Sequence, residues 1–269
     1  MRKVLGEMNE EYIKLLQAGI DSQNAEQGTL NEFDCPICKN KGEIFFLDEN
    51  NNECSRECEC MKKRRIIRNT RNSGLSAMLD KYTFGNFLHK ENWQFTMYDK
   101  ATDFVHDDKA KCFFVGGQVG AGKSHICTAI VGRLLEQGYN AYYNVWTEIV
   151  INLKQNAYDN PEEYNRQLTW LKNVKVLYID DFFKTTPTTA DLDKAFQIID
   201  YRKNLSMSNS KRRLITIISS EKMLEEIIGI DEAIGSRIFE MCNRGEYVVE
   251  IERSANKNQR MPSQKYIRR

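Results

Sequence analysis

Short apolar runs alternate with longer amphipathic segments through most of the chain. The apolar runs predict strands at residues 111–116, 140–146, 174–179, 213–219 and 246–252. Helix-length segments between and after these runs begin near Lys123, Thr147, Asp191, Glu221 and Asp231. This alternation is typical of strand–helix–strand units, which place parallel strands in one sheet. The fold class indicated is α/β, with a five-stranded parallel sheet flanked by helices.

The N-terminal part of the chain has a different pattern. Residues 1–33 are polar apart from one amphipathic stretch, five cysteines follow between 35 and 60, and a basic run comes next. Polar residues around Gly74 mark a boundary. These features divide the chain into an N-terminal segment (1–62) with a cysteine module (35–60), a basic linker helix (63–80) and an α/β domain (81–269).

Length and composition suit a globular protein of one ordinary domain with a small appendage. The chain has 269 residues, of which 41% are apolar and 29% charged, and its net charge of +1 indicates no class of partner. The N-terminus becomes acidic before any apolar run could act as a signal peptide, and no apolar run approaches a membrane span. We therefore expect a cytoplasmic protein with no membrane partner.

Clustered cysteines in a reducing compartment favour metal ligands over disulfides. Cys35 and Cys38 have the C-x₂-C spacing of structural zinc sites. The second pair can be Cys54 with Cys58, or Cys58 with Cys60. We favour Cys58 and Cys60, which leaves Cys54 as the spare thiol. The spacing favours zinc over an iron–sulfur cluster.

A basic run follows the cysteines. Its members are Lys62, Lys63, Arg64, Arg65, Arg68 and Arg71. Such a run can follow a nucleic-acid backbone, form a solvated helix between two modules, or face an acidic partner. The sequence leaves these three interpretations open. Arg202, in a later helix-length segment, is expected at a solvated helix position.

The stretch GQVGAGKS fits the G-x-x-x-x-G-K-[ST] pattern of a phosphate-binding loop. It follows a predicted strand and opens a predicted helix, where consecutive backbone amides favour a bound anion. Lys123 would reach the β- and γ-phosphates, and the Ser124 hydroxyl would hold Mg²⁺. The expected nucleotide-binding residues are Gly117, Gln118, Val119, Gly120, Ala121, Gly122, Lys123 and Ser124.

Two carboxylates end the third predicted strand, in VLYIDDFF. Asp180 would orient Mg²⁺ through its water shell, and Asp181 would polarise the attacking water. No N-K-x-D pattern, which reads guanine, is present, so ATP is favoured over GTP. The chain is therefore expected to hydrolyse ATP to ADP and phosphate.

The ordered set CECMKKRR, KYTFGNF, GGQVGAGKSH, VLYIDDFFK and SRIFEM resembles the DnaC/DnaI-type helicase loaders, especially those of phages and prophages of Gram-positive bacteria. They belong to the initiator branch of the AAA+ ATPases, and the resemblance covers roughly residues 34–260. It implies an AAA+ core without a full helical lid, preceded by a zinc module that docks on the replicative hexameric helicase. It also implies ATP-dependent self-association and delivery of the helicase onto single-stranded DNA.

The resemblance also assigns roles to three residues. Ser220 is similar to the polar sensor of the γ-phosphate, Arg237 to an arginine finger offered to a neighbouring subunit, and Arg260 to a second, C-terminal sensor. A finger that acts in trans implies weak ATPase activity in a monomer. Two positions depart from the family pattern, because Asp181 stands where many AAA+ proteins have glutamate and Glu221 where these loaders often have asparagine.

Other functions stay open on the sequence. An IstB-type transposition helper has the same ATPase core and would assemble on duplex DNA. A hydrolysis-poor adaptor would bind ATP only as a switch, which the short carboxylate of Asp181 suits. A zinc-dependent regulator would bind specific duplex sequences without ATP. The cysteine module favours the helicase loader over the transposition helper.

Overall fold

In a computed structural model, the chain is described over residues 4–208 and 213–261. It divides into two compact units, Met1–Arg68 and Asn69–Arg269. Within the described ranges, no helix is long and apolar enough to cross a membrane. The domain boundaries drawn from the sequence after residues 62 and 80 stay a prediction.

The first unit contains a long helix, a hairpin and the start of a second helix. Their bounds are α1 Val4–Ala25, β1 Glu43–Leu47, β2 Glu53–Glu57 and α2 Cys60–Asn72. The strands pair antiparallel, with Phe45 opposite Ser55. Asp48 closes the turn between them, since its Oδ1 accepts hydrogen bonds from the amides of Asn50 and Asn52, both at 2.8 Å. The hairpin therefore returns the chain from the first cysteine pair towards the second.

Arg64, on α2, is fully buried in the first unit. Its guanidinium donates to Glu32 Oε2 at 2.8 Å, and to Phe33 O and Asn40 Oδ1 at 2.7 Å each. It also lies 4.5 Å from the centre of the Phe33 ring. A buried charge is tolerated when it is paired and hydrogen-bonded in this way. Arg64 therefore fastens α2 to the segment that precedes the hairpin.

The second unit is an α/β domain. Its helices are α3 Ser76–Leu79, α4 Asn92–His106, α5 Lys123–Glu136, α6 Trp146–Asp159, α7 Pro161–Asn173, α8 Thr189–Ser208, α9 Leu224–Ile230 and α10 Glu232–Met241. Its strands are β3 Cys112–Gly117, β4 Ala141–Val145, β5 Val176–Asp180, β6 Ile215–Ser219 and β7 Val248–Ile251. One-turn 3₁₀ helices lie at Phe84–Asn86 and Ala255–Lys257. Side-chain caps begin two helices, because Asn160 accepts from the amide of Glu163 at 3.1 Å and Asp231 from that of Ile234 at 2.9 Å.

The five strands of the second unit form one parallel sheet in the order β4–β5–β6–β3–β7. Strands β3, β5 and β6 are buried along their whole length. Strands that are covered on both faces have continuous apolar runs instead of alternating ones. The predicted five-stranded α/β fold is confirmed, and no helical lid follows β7 as far as residue 261, where the description ends.

The carboxyl ends of β3, β6 and β5 lie next to one another in this sheet. The phosphate-binding loop leaves β3, Asp180 ends β5 and Ser219 ends β6. Open α/β sheets bind their ligands outside the carboxyl ends of the strands. The topology therefore assembles the predicted chemistry at one edge of the sheet.

Arg202, on α8, is fully buried, so the expectation of a solvated position was wrong. Its guanidinium donates to Ile215 O at 2.7 Å, to Val174 O and Thr216 Oγ1 at 2.9 Å each, and to Leu171 O at 3.1 Å. The carbonyls at the end of α7 have no partner within their own helix. Arg202 satisfies them and joins α8 to the sheet.

Candidate nucleotide site and cysteine cluster

The phosphate-binding loop wraps around the amino group of Lys123. Lys123 Nζ donates to Gly117 O at 2.9 Å and to Gln118 O at 2.7 Å, and the side chain is buried. Gly117, Gly120 and Gly122 all have φ between +72° and +99°, a range that favours glycine. A Cβ at Gly117 would lie 2.1 Å from a backbone oxygen of β7. The glycines are therefore required by the path of the loop.

Asp180 is the buried carboxylate at the end of β5. Its Oδ1 accepts hydrogen bonds from Ser124 Oγ at 3.2 Å and from Ser219 Oγ. Tyr143 OH donates to its Oδ2 at 3.4 Å. A hydroxyl and a carboxylate beside a phosphate loop are the oxygen ligands that Mg²⁺ prefers. Ser124 and Asp180 therefore fit the proposed magnesium site, with the ion supplying charge neutralisation to the phosphates.

Asp181 lies at the start of a tight turn after β5. Asp181 and Phe183 have φ of +53° and +52°, values that are unfavourable for residues with a side chain. Phe182 and Phe183 are fully buried and stack on each other, with ring centres 4.0 Å apart. Their packing holds the turn. As a result, Asp181 faces the cavity and forms an ion pair with Lys184 at 2.8 Å.

A cavity of about 430 Å³ lies above the phosphate-binding loop. Its lining residues come from the phosphate-binding loop and the start of α5, β4, the segments that follow β5 and β6, the segment before α4, and the C-terminal segment: Tyr82, Val119, Gly120, Gly122, Lys123, Ser124, His125, Tyr143, Val145, Asp180, Asp181, Lys184, Glu221, Gln259 and Arg260. The structure therefore brings together Lys123, Ser124, Asp180, Asp181 and Arg260 from the predicted set.

Charges in the cavity act on one another. Burial lowers the pKa of Lys123, and the carboxylates of Glu221, Asp181 and Asp180 oppose that shift. Burial and the adjacent charge of Asp180 raise the pKa of Tyr143 to about 12. Lys123 therefore lies in the field of three carboxylates, while its amino group donates to two backbone carbonyls of the loop.

The predicted sensor Ser220 is not brought to the cavity. It is fully buried, and its hydroxyl donates to Phe182 O at 2.7 Å. Its neighbours flank the cavity instead, with Ser219 bonded to Asp180 and Glu221 in the lining. Sequence reasoning missed Ser219, although its position as the last residue of a buried strand beside β5 is a signal that could have found it.

The predicted finger Arg237, on α10, lies outside the lining of its own chain's cavity. Its Nε donates to Asp200 Oδ1 at 2.5 Å and its Nη1 to Ala233 O at 2.8 Å. The guanidinium also stacks 4.5 Å from the centre of the Phe196 ring. These contacts hold it at the surface of α8 and α10.

The C-terminal segment folds back over the phosphate-binding loop. The amide of Ser254 donates to Gln118 Oε1 at 2.7 Å, and that of Gln259 donates to Gly120 O at 2.9 Å. These bonds bring Arg260 to the mouth of the cavity. Nothing in the local sequence signals this return.

Aromatic rings line the same cavity on another side. Tyr82 lies over His125, with ring centres 5.0 Å apart, and Phe87 meets His125 edge-on at 5.1 Å. His125 Nε2 donates to Thr83 O at 2.9 Å, and burial lowers the pKa of the ring. Tyr82 and His125 line the cavity, and Phe87 packs against His125 outside the lining.

In the first unit, the four favoured cysteines converge. The thiol sulfurs of Cys35, Cys38, Cys58 and Cys60 all lie within 4.8 Å of one another. Cys35 and Cys58 are 3.9 Å apart, and Cys38 and Cys60 are 3.5 Å apart. Tetrahedral Zn²⁺ with Zn–S bonds of about 2.3 Å requires S–S distances of about 3.8 Å. The donor set therefore fits zinc, while Cys54 lies in β2 outside the cluster.

Part of the basic run is used inside the first unit. Arg64 is buried against Glu32, Arg68 lies 3.5 Å from the same carboxylate, and Arg65 pairs with Glu57 at 3.0 Å. These pairs reduce the charge available to a nucleic acid. Contact between the run and DNA stays a prediction.

Comparisons with known proteins agree with this geometry. A family model described as IstB-like ATP binding protein matches residues 43–254. The chain is 30% identical to the uncharacterized protein YqaM of Bacillus subtilis over an alignment of 272 positions, which covers 82% of this chain and 83% of that protein. It is 24% identical to the replicative helicase loader DnaC of Escherichia coli, over 64% of this chain and 72% of DnaC.

A solved structure described as the DnaC helicase loader has the same fold. It superposes with a TM-score of 0.54 at 18% identity, over 64% of this chain and 98% of that one. The resemblance to DnaC/DnaI-type AAA+ proteins is confirmed. Because the family model covers most of the chain, including β3 to β7, the chain belongs to the IstB-like ATP-binding protein family.

Proposed function

We propose that this chain is an ATPase that binds a hexameric replicative helicase and delivers it onto single-stranded DNA. The observation that carries the proposal is the cavity in which Lys123, Ser124 and Asp180 meet, because these groups suit Mg-ATP. Asp181 is the group placed to polarise the attacking water. Since relatives occur in Bacillus subtilis, one of them in a phage-like element, we place the activity in the bacterial cytosol.

Hydrolysis is proposed to require a second copy of the chain. Arg237 lies outside the lining of its own chain's cavity, and its Nη2 makes no hydrogen bond with the described residues, because Nε and Nη1 donate the bonds to Asp200 and Ala233. A guanidinium brought to the developing phosphate charge raises hydrolysis by about 10³- to 10⁵-fold. The isolated chain would therefore bind ATP and hydrolyse it slowly until it self-associates.

The first unit is proposed to bind zinc and to dock on the helicase. Its cysteine cluster supports metal binding, and the relative DnaC is named a replicative helicase loader. Folding free energy from the metal suits a unit with a small apolar core. Nucleotide control would then lie in the second unit and helicase contact in the first.

A loading assay tests this proposal. The host's hexameric helicase is offered closed circular single-stranded DNA that carries one annealed strand and is coated with single-strand-binding protein. Chain with ATP is expected to produce strand displacement, whereas Lys123→Ala and Arg237→Ala are expected to capture helicase without loading it. Loading by Arg237→Ala but not by Lys123→Ala would favour the hydrolysis-poor adaptor, which needs ATP binding but not hydrolysis. Failure of the intact chain to capture helicase, with ATP-dependent binding to duplex DNA, would favour the transposition helper.

A further inference from the structure

Lys184 joins two carboxylates at the mouth of the nucleotide cavity. Its Nζ lies 2.8 Å from Asp181 Oδ2 and 3.1 Å from Glu221 Oε1. These carboxylates come from the ends of two adjacent strands, β5 and β6. The turn after β5, in which Asp181 and Phe183 have positive φ, sets the position of Lys184 relative to the end of that strand. Lys184 is thus shared between two elements that both border the cavity.

The charge of the cavity depends on this lysine. Its lining contains three cationic side chains, from Lys123, Lys184 and Arg260. It also contains the three carboxylates of Asp180, Asp181 and Glu221. Asp180 would be compensated by Mg²⁺, and Lys123 by the phosphates. Asp181 and Glu221 are left with Lys184 as their ion-pair partner within the described part of the chain.

The paired carboxylates lie at the phosphate end of the cavity. Asp181 directly follows Asp180, whose Oδ1 accepts from Ser124 Oγ at 3.2 Å, and both Asp181 and Glu221 line the same cavity as Lys123. Lys123 is the residue that would reach the β- and γ-phosphates. A γ-phosphate would therefore stand close to both carboxylates, whereas a diphosphate ends one group earlier.

We propose that Lys184 is a positioning residue that sets the preference of this cavity for a nucleoside triphosphate over a diphosphate, by neutralising Asp181 and Glu221 beside the γ-phosphate. This inference rests on the proposed ATPase function. An uncompensated like charge disfavours a bound anion at short range. Loss of Lys184 would expose the γ-phosphate to two such charges and would affect a diphosphate much less.

A purely structural role of the half-exposed Lys184 ion pairs predicts a different result for nucleotide binding. Lys184 is 46% exposed, and surface ion pairs of this kind add little to stability. If Lys184 acted only on the fold, its loss would change the affinities for both nucleotides by the same factor. The ratio of the two affinities therefore separates the two roles.

The test is calorimetric titration of the full chain with Mg²⁺ and either AMPPNP or ADP. Lys184→Met is expected to weaken AMPPNP about tenfold and ADP less than about threefold. Adding Glu221→Gln to that variant is expected to restore most of the AMPPNP affinity. Lys154→Met is the matched control. Lys154 Nζ forms an ion pair with Asp191 Oδ1 at 2.6 Å, and neither residue lines the cavity. It should change neither affinity.

Equal weakening of both nucleotides by Lys184→Met, or no weakening of either, would overturn the inference and leave the proposed function standing. Failure of Glu221→Gln to restore AMPPNP affinity would also overturn it. Absence of binding of either nucleotide to the unmodified chain would refute the proposed function, and this inference with it.

Discussion

Replacing Cys38 by serine is expected to release one zinc ion and unfold the first unit alone. Cys38 lies 3.5 Å from Cys60 in a cluster whose distances match a tetrahedral thiolate site. Serine removes one of four thiolate ligands and leaves three thiols, two of them buried, without a full coordination shell. Cys54 provides the matched control, because it lies in the same unit but outside the cluster.

The size of the effect follows from the small core of the first unit. Among its described residues, Ile20 is the only buried apolar side chain that is not a cysteine. Burying such a side chain contributes about 1.5–3 kcal/mol, whereas ordering the backbone costs about 1–2 kcal/mol per residue. Structural zinc contributes roughly 10–16 kcal/mol of apparent free energy. The metal is therefore the dominant stabilising term that the unit can have.

The assay is zinc content by mass spectrometry, with limited proteolysis to locate unfolding. The unmodified chain and Cys54→Ser should each hold one zinc ion, while Cys38→Ser holds none and is cleaved within residues 28–60. Its second unit should stay protected and bind ATP with unchanged affinity. Retention of zinc by Cys38→Ser, or its loss in Cys54→Ser, would refute the assignment of ligands.

Three further outcomes are expected from the second unit. Lys123→Ala should weaken ATP binding about 10- to 100-fold, because it removes a charge-assisted contact with the phosphates. The urea midpoint of this variant should be unchanged. An unchanged Kd for ATP would contradict the assignment of the cavity. Lys123→Ala mixed with Arg237→Ala should recover ATPase activity that neither has alone, whereas a finger acting in cis gives no recovery. Arg202→Met should lower the free energy of unfolding by about 3 kcal/mol, because three buried carbonyls lose a donor. The control Arg166→Met, at an exposed ion pair, should lower it by less than about 1 kcal/mol. Equal urea midpoints for the two variants would show that the carbonyls find other partners.

Apolar periodicity and local motifs predicted the strands and the phosphate-binding loop of the second unit. The five predicted strands match β3 to β7 within two residues at every end, because buried parallel strands leave continuous apolar runs. The phosphate loop was recognisable because its glycines are required by positive φ. The meeting of Ser124 with Asp180 followed from the rule that ligands bind at the carboxyl ends of parallel strands.

Features set by tertiary contacts were not foreseeable in this way. The burial of Ser220 depends on the hydrogen bond that its hydroxyl donates to Phe182 O, a partner that its place after a predicted strand does not reveal. Arg202 looks like any polar helix residue, and its burial depends on carbonyls from α7 and β6 that need a donor. The return of Arg260 over Gly120 rests on backbone bonds formed after the chain has turned back from β7.

The basic run shows the same limit on a smaller scale. Six cations in ten residues suggested an exposed electrostatic surface, but burial of Arg64 depends on Glu32, which lies 32 residues earlier in the sequence. Charge composition predicts the presence of cations without predicting their partners. The hairpin between the two cysteine pairs was missed because each strand has only five residues and β2 is polar.

The most direct test of helicase loading is capture of the host's hexameric replicative helicase. The bait is the intact chain, compared with a chain that lacks residues 1–62 and with Lys123→Ala. The expected result is capture by the intact chain and by Lys123→Ala, with none by the shortened chain, whose ability to bind ATP confirms that it is folded. No capture by the intact chain at any nucleotide state would contradict the central claim.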